Sequence, residues 1–327
     1  PLYSSAASDV YKRQVQQAYA RENKPMQRRT FLGALGTGLL GAAAEHVGEF
    51  SIVDGATAGP VPARVHLRDA VSGEDHVLPG AVEVPIGKER WFVAHGVVRV
   101  PRAARRLSLR VERGLEYRPV MRQLDFADGR PRIALRRWIN MRERGFVSGE
   151  DHLHVPLSDL GAMLAAEDLS FGTSLSWWNG PKLNVPPGSG WVRDLSYAGQ
   201  RAPTSVFDAE AETPWGAVYM VGLKEPMSLP HDKLRPNVVF VRAAREQQAL
   251  ICYQGGWSRE VLLDALLGYV DVVNVCNNVF HRHKYLPRKH NENLLEVPGL
   301  PEYSDCADDM MRLNMDSYYR LLNCGLR

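Results

Sequence analysis

The stretch SGEDHLHVPLSDLGAMLAAEDLSFGTSLSWWN, residues 148–179, contains a predicted helix, a predicted strand and two closely spaced histidines. The segment Leu157–Leu169 is predicted to be an amphipathic helix, because its apolar residues recur at helical spacing. Those residues are Leu157, Leu160, Met163 and Leu164. The following segment, Ser170–Asn179, is predicted to be a short buried strand. A helix followed by a buried strand is typical of α/β proteins.

The remainder of the chain after this stretch continues the same alternation. Ser258–Tyr269 is predicted to be an amphipathic helix with Ser258 as its N-cap. Four apolar segments are predicted to be strands: Gly216–Leu223, Asn237–Ala243, Ala249–Gly256 and Val270–Asn278. Strands that are apolar throughout and alternate with helices predict an α/β domain with a largely parallel sheet or barrel over residues 144–327.

The preceding region, residues 61–143, has a different pattern. Apolar and polar residues alternate with a period of two between Gly, Pro and Asp breaks, which predicts short antiparallel strands and an all-β sandwich. The predicted strands are Ala63–Asp69, Ala81–Gly87, Arg90–Val100, Arg106–Gly114 and Arg132–Asn140. Residues 45–60 are assigned to a linker.

The first 44 residues are excluded from the fold. DVYKRQ, Asp9–Gln14, looks like a translated transposon end, so residues 1–25 are interpreted as a sequencing or assembly artefact. Residues 26–44 resemble a twin-arginine signal peptide: Arg28 and Arg29 precede an apolar run that ends in small residues. This predicts a bacterial protein exported to the periplasm or secreted. The run is too short to span a membrane, and no later segment is long enough.

Charge and cysteine content exclude two other classes. The formal net charge of +3 is concentrated in the first 44 residues, and the nearly neutral remainder gives no reason to expect nucleic-acid binding. The four cysteines lie far apart with no C-x-x-C motif, so a structural zinc knot is not predicted. Neither Cys276 nor Cys324 has a base beside it in the sequence, so a thiol nucleophile is not predicted either.

His152 and His154 form an H-x-H pair flanked by acids. Residues two apart on a strand face the same side, so both imidazoles can reach one metal or two adjacent metals. Imidazole suits zinc, iron and manganese sites. The alternative is that these are two surface or core histidines that bind nothing.

The region from residue 149 onward resembles the metallohydrolases of the PHP (polymerase and histidinol phosphatase) superfamily, especially their carbaryl-hydrolase-like CehA/McbA branch. The matching features are Glu150, the H-x-H pair, Ser158-Asp159 and the helix and strand that follow. The resemblance implies a distorted (β/α)7 barrel. It also implies up to three divalent cations and a metal-activated water that attacks an ester, amide or phosphoester. The region before it resembles the transthyretin-like sandwiches attached to many secreted hydrolases.

The sequence departs from the family at several ligand positions. Trp177-Trp178 replaces the Asp-His of the family motif T-D-H-N, and only Asn179 remains. The acid of the middle strand is either Glu210 or Glu212. Two further family histidines are missing, and Tyr253-Gln254 stands where one of them belongs. The last family motif would lie beyond Arg327, so the barrel is interpreted as incomplete. The visible ligands, His152, His154 and one glutamate, provide for one cation at most.

Other residues are assigned around this site with alternatives. Tyr253 either donates a hydrogen bond to an oxyanion or is a core tyrosine. Trp177 and Trp178 either form an apolar wall for the substrate or pack inside the domain. The remaining candidates for substrate binding are Asn179, Asn277, Asn278, His281 and His283, of which the last two also suit a solvated loop.

Two functions remain open on the sequence. The first is an exported metal-dependent hydrolase that uses Zn, Mn or Fe and acts on a small-molecule or carbohydrate-like substrate. The second is a non-catalytic binding protein on a degraded scaffold, which holds a carbohydrate or aromatic ligand with Trp177, Trp178 and Trp257.

Overall fold

A computed structural model describes residues 46–101, 106–126, 129–181, 192–232, 234–256, 258–275 and 307–326. Within these ranges the backbone forms two compact units. The N-terminal unit contains residues 46–174 and 192–206, and the C-terminal unit contains 175–181 and 207–326. No helix of the described residues combines the length and apolar character needed to cross a membrane.

The N-terminal unit contains two sheets that share one core. The nine strands are β1 His46–Asp54, β2 Pro62–Asp69, β3 Asp75–His76, β4 Glu83–Ile86, β5 Glu89–His95, β6 Val97–Pro101, β7 Arg106–Glu112, β8 Val120–Asp125 and β9 Arg132–Leu135. One sheet has the order β6-β1-β9, and the other has the order β4-β5-β2-β7-β8 with β3 beside β2. Ile52 and Ile133 of the first sheet are buried in one cluster with Val65 and Leu109 of the second.

The predicted β-rich region is therefore confirmed, but three strands were not predicted: β1, β3 and β8. The predicted strand Arg90–Val100 is divided at Gly96 into β5 and β6, which belong to different sheets. Residues 46–54, which the sequence assigned to a linker, form β1, the central strand of its sheet. β8 was also missed, because half of its residues are polar and interrupt the apolar alternation. All the pairings in these two sheets are antiparallel except β1 with β9, which is parallel.

A further sheet contains seven strands, and four helices accompany it. The strands are β10 Gly149–Glu150, β11 Phe171–Trp178, β12 Val192–Tyr197, β13 Gln200–Thr213, β14 Gly216–Val221, β15 Leu250–Tyr253 and β16 Val272–Val273. The helices are α1 Leu157–Ala166, α2 Asn237–Glu246, α3 Val261–Leu266 and α4 Ala307–Asn323. The strand order is β10-β11-β13-β14-β15-β16, with β12 beside β13. The predicted α/β class is confirmed.

The prediction of a largely parallel sheet is wrong. β10–β11 and β15–β16 are parallel, but β12–β13, β13–β14 and β14–β15 are antiparallel. Two short turns explain the β12–β13 and β13–β14 pairs, because strands joined by two residues can only pair antiparallel. Ala198 and Gly199 join β12 to β13 with φ values of 50° and 78°, as a type I′ turn requires. Pro214 and Trp215 join β13 to β14. The (β/α)7 barrel implied by the resemblance stays a prediction.

The predicted strand Asn237–Ala243 is helix α2 instead. Pro236 occupies the N-cap position, and the buried residues follow at helical spacing: Asn237, Phe240, Val241 and Ala244. The Glu260 carboxylate accepts the backbone N–H of Asn237 at 2.7 Å and that of Val238 at 3.1 Å, so it satisfies two of the free donors at the helix start. The predicted cap Ser258 is also wrong, because α3 begins at Val261 with Glu260 as N-cap.

The end of β7 packs closely on the end of α1 at Gly114. Its φ is +48°, and a Cβ built there would lie 2.2 Å from the carbonyl oxygen of Glu167. A side chain at this position therefore meets backbone that cannot rotate away. Gly129 provides a comparison, because its φ of +99° is also unsuited to a side chain but no atom lies within 4 Å of the built Cβ.

We predict that Gly114→Ala destabilises the protein much more than Gly129→Ala. Both substitutions add backbone strain of about 1–3 kcal/mol. Only the first adds steric overlap, which costs roughly a further 1–3 kcal/mol. Urea unfolding followed by circular dichroism measures both free energies of unfolding. Equal losses for the two variants would show that β7 and α1 do not approach this closely.

Candidate metal centre

His152 and His154 lie directly after β10 rather than on a strand. The strand ends at Glu150, and residues 151–156 form an irregular segment before α1. The two rings nevertheless converge: their Nε2 atoms are 2.9 Å apart and the ring centroids are 4.9 Å apart, with an angle of 71° between the planes. The pair therefore presents two imidazole nitrogens to one point, as the H-x-H interpretation required.

Glu150 orients the first of these histidines. One carboxylate oxygen, Oε1, accepts the backbone N–H of His152 at 3.1 Å. Burial raises the pKa of the Glu150 carboxyl, and the nearby charge of Asp151 raises it further. Hydrogen bonds from the backbone of His152 and Asp151 act in the opposite direction. Glu150 thus holds the chain between β10 and the histidines in place.

The third member of the site is Glu210 on β13. Residues two apart on a strand point to the same face, so Asp208, Glu210 and Glu212 share one face of β13. Asp208 and Glu210 are buried. One ligand atom from each of His152, His154 and Glu210 lies within 4.8 Å of the other two. In the described part of the chain this is the one group of His, Cys, Asp and Glu side chains that meets this criterion.

The distances and the chemistry of these three side chains fit a divalent cation. Two nitrogens on a tetrahedral zinc ion at ~2.0–2.1 Å from the metal are ~3.3 Å apart, so a small opening of the Nε2 pair reaches ligand spacing. A buried carboxylate is costly unless a positive charge or hydrogen bonds compensate it. Glu210 is only 1% exposed, and a cation beside it would offset that cost.

Glu212, the other predicted acid, has a different role from Glu210. Its Oε2 accepts the indole N–H of Trp178 at 3.0 Å. Asn179 holds the same part of β13: its Oδ1 accepts the backbone N–H of Glu212 at 2.8 Å, and its own N–H donates to the carbonyl of Glu210 at 3.1 Å. Trp178 and Asn179 therefore hold in place the strand that carries Glu210. These hydrogen bonds give no support to the prediction that either residue contacts a substrate.

Trp177 is a core residue. Its side chain is 1% exposed, and its ring centroid lies 5.4 Å from that of Phe240 and 6.2 Å from that of His231. This burial favours the alternative that Trp177 packs inside the domain over a role as a substrate wall. The Nε2 of His231 in turn donates to the carbonyl of Glu212 at 3.2 Å. The neighbouring residues, Pro230 and Asp232, gave no reason to predict this hydrogen bond.

Tyr253 is likewise part of the core. It is fully buried, and its hydroxyl donates to Asp264 Oδ2 at 2.5 Å. Burial raises the pKa of the Tyr253 hydroxyl, and the charge of Asp264 raises it further. These contacts favour the alternative that Tyr253 is a core tyrosine, because its hydroxyl already donates to Asp264 inside the domain. Four predicted contacts lie outside the described residues: Asn277, Asn278, His281 and His283; the same holds for Trp257.

Comparison with known proteins gives no relative. The chain matches no model of a known protein family, no curated protein and no solved structure. The PHP-superfamily resemblance accordingly stays a prediction from the sequence.

The buried pair of Tyr253 and Asp264 makes stability depend on pH. Burial raises the pKa of Asp264 to about 6; the hydrogen bond from Tyr253 lowers it and the charge of Glu260 raises it. The unfolded chain has the ordinary value of 3.8. The folded protein therefore keeps the Asp264 proton at pH values where the unfolded chain has lost it, and stability falls as pH rises through this window.

We predict that Asp264→Asn removes this part of the pH dependence. The asparagine side chain keeps an oxygen that can accept the hydrogen bond from Tyr253, but it carries no ionisable group. Wild type should lose stability relative to the variant between about pH 4 and pH 6, and the difference should be constant above pH 7. Thermal unfolding of both proteins across this range is the measurement. A difference that does not change between pH 4 and 6 would show that Asp264 has an ordinary pKa.

Proposed function

We propose that this chain is a metal-dependent hydrolase. The observation that supports the proposal is the grouping of His152, His154 and Glu210 within 4.8 Å of one another. Two histidines and one glutamate are the protein ligands of catalytic zinc sites that keep an open coordination position. The sequence resemblance implied the same class of enzyme, although no comparison supports the family itself.

Each residue of the site has a defined task in this proposal. His152 and His154 would supply neutral Nε2 donors, and Glu210 would supply the negative charge. Glu150 orients His152 through its backbone, and Asn179 positions β13 at Glu210. When bound, the divalent cation would polarise a scissile oxygen and lower the pKa of an attacking water. The bond cleaved would be an ester, amide or phosphoester in a small-molecule or carbohydrate-like substrate.

The competing proposal, a binding protein that holds a sugar or aromatic ring, has less support. It relied on the faces of Trp177 and Trp178. Trp177 is covered by Phe240 and His231, and the indole N–H of Trp178 is already bound to Glu212. Export by the twin-arginine pathway is part of the proposal, and it rests on Arg28, Arg29 and the apolar run alone.

We predict that the protein binds close to one equivalent of Zn, Mn or Fe through these three side chains. His152→Ala, His154→Ala and Glu210→Gln should each reduce the metal content after dialysis to well below stoichiometry. Two matched controls should retain it: Glu212→Gln, on the same strand face, and His95→Ala, in β5. Elemental analysis of the full chain measures this. A metal-free wild type, or equal loss in Glu212→Gln, would contradict the ligand assignment.

We predict that hydrolytic activity depends on the bound metal. Loss of residues that only support a metal site lowers affinity or activity by about 10–100-fold. Loss of the direct ligand His154 should therefore lower the hydrolysis rate of a chromogenic ester by more than about 100-fold. The reference is His95→Ala, and added metal should restore activity to chelated wild type. Protein that binds metal but cleaves no ester, amide or phosphoester probe would support a binding role.

A further inference from the structure

The N-terminal unit contains a cavity that the proposed hydrolase site does not use. Its volume is about 400 Å³, within the range of ~300–1,000 Å³ that small-molecule sites occupy. It lies among the 3₁₀ turn Arg142–Arg144, the C-terminal half of α1, the connection to β11 and the first residues of β13. The lining residues that matter here are Arg142, Asp168, Leu169, Ser170, Arg201 and Ala202.

The acid that lines this cavity is already neutralised. Asp168 Oδ1 pairs with Arg113, and Asp168 Oδ2 pairs with Arg137 at 2.6 Å. Both carboxylate oxygens are therefore occupied by guanidinium groups. Asp168 does not repel an anion in the cavity as an isolated carboxylate would, because the two arginines offset its charge.

Two further arginines line the cavity with weak existing partners. Arg142 donates from Nη2 to the Ser170 hydroxyl at 2.7 Å, a neutral acceptor that leaves the positive charge uncompensated. Arg201 pairs with Asp194, but both side chains are largely exposed. Exposed ion pairs of this kind contribute little stability, about 0–1 kcal/mol, so Arg201 can exchange its partner for a ligand. Planar guanidinium groups bind carboxylates through two parallel hydrogen bonds.

Apart from Gln200, the rest of the lining is apolar or small. Leu169 and Ala202 contribute side chains without charge, and Gly161 and Ala165 of α1 leave room beside them. An inorganic anion would contact the arginines but would leave this surface unused. A ligand with an apolar body and one carboxylate would use both.

We propose that this cavity binds a small organic carboxylate. Arg142 and Arg201 contact the carboxylate, and Leu169 and Ala202 contact the apolar body. The site is independent of the metal ligands, so it does not depend on the hydrolase proposal.

Isothermal titration of the full chain with benzoate tests this site, with neutral benzamide and inorganic phosphate as comparison ligands. Benzoate should bind more tightly than either. Arg142→Gln and Arg201→Gln should each weaken benzoate binding about tenfold or more, since each removes a charged hydrogen-bond donor. Arg144→Gln is the matched control, because Arg144 is exposed in the same 3₁₀ turn but does not line the cavity.

The outcomes separate this proposal from the hydrolase proposal. The double variant His152→Ala/His154→Ala should bind benzoate as wild type does, whether or not the protein holds metal. Three results would overturn the carboxylate site: no benzoate binding, equal binding of benzamide, or equal weakening by Arg144→Gln. Tighter binding of phosphate than of benzoate would overturn the role of Leu169 and Ala202. Circular dichroism of each variant confirms that the fold is retained.

Discussion

Two buried carboxylates on one strand, Asp208 and Glu210, set the condition that the rest of the candidate site must satisfy. Removing a carboxylate from water costs several kcal/mol unless hydrogen bonds or positive charge compensate it. For Asp208 the backbone supplies part of this, because its Oδ1 accepts the N–H of Gly222 at 2.8 Å. For Glu210, the imidazoles of His152 and His154 lie within 4.8 Å. A cation bound by these three side chains, as proposed above, would compensate the charge of Glu210 and would separate the two ring nitrogens to ligand distance.

The register of β13 determines that Glu210, rather than a neighbour, reaches the histidines. A shift by one residue would place Ala209 and Ala211 on the face now occupied by the acids. Two-residue turns fix the register on both sides, through Ala198-Gly199 to β12 and Pro214-Trp215 to β14. The side chain of Asn179 adds a third constraint, since it binds the backbone N–H of Glu212. The position of the Glu210 carboxylate is thus determined by the backbone pairing of β13.

The sequence predicted the elements whose periodicity was clear. β2, β5, β7 and α1 alternate or repeat at the expected spacing, and each was found. The helix Asn237–Glu246 was missed because its valines favour a strand, and the decisive constraint was Pro236 with the Glu260 carboxylate, a contact distant in sequence. β12 and β13 were missed because charged residues and Pro203 interrupt their pattern. Pairing across two short turns outweighs those propensities.

The sequence predicted the kinds of side chain that form the candidate site, but not the contacts around them. The H-x-H spacing pointed to His152 and His154, and the resemblance offered Glu210 and Glu212 without choosing between them. The structure distinguishes these two acids through Trp178, whose indole N–H donates to Glu212. The role of Tyr253 could not be predicted, because its partner Asp264 lies on a helix that packs behind the strand. Local sequence does not report such contacts.

Trp177 and Trp178, which stand where the metallohydrolases that the sequence resembles have Asp-His, also bear on the kind of bond that the proposed hydrolase would cleave. Trp177 fills the core beside Phe240, and Trp178 ties down Glu212, so neither position supplies a metal ligand. Among the described residues one group of three donors remains, which provides for one cation. In-line phosphoryl transfer commonly uses two cations that stabilise the attacking and the leaving oxygen. Single zinc ions held by two histidines and a glutamate serve peptide hydrolysis instead. Among the three proposed bond types, the donor set therefore favours a carboxylic ester or amide over a phosphoester.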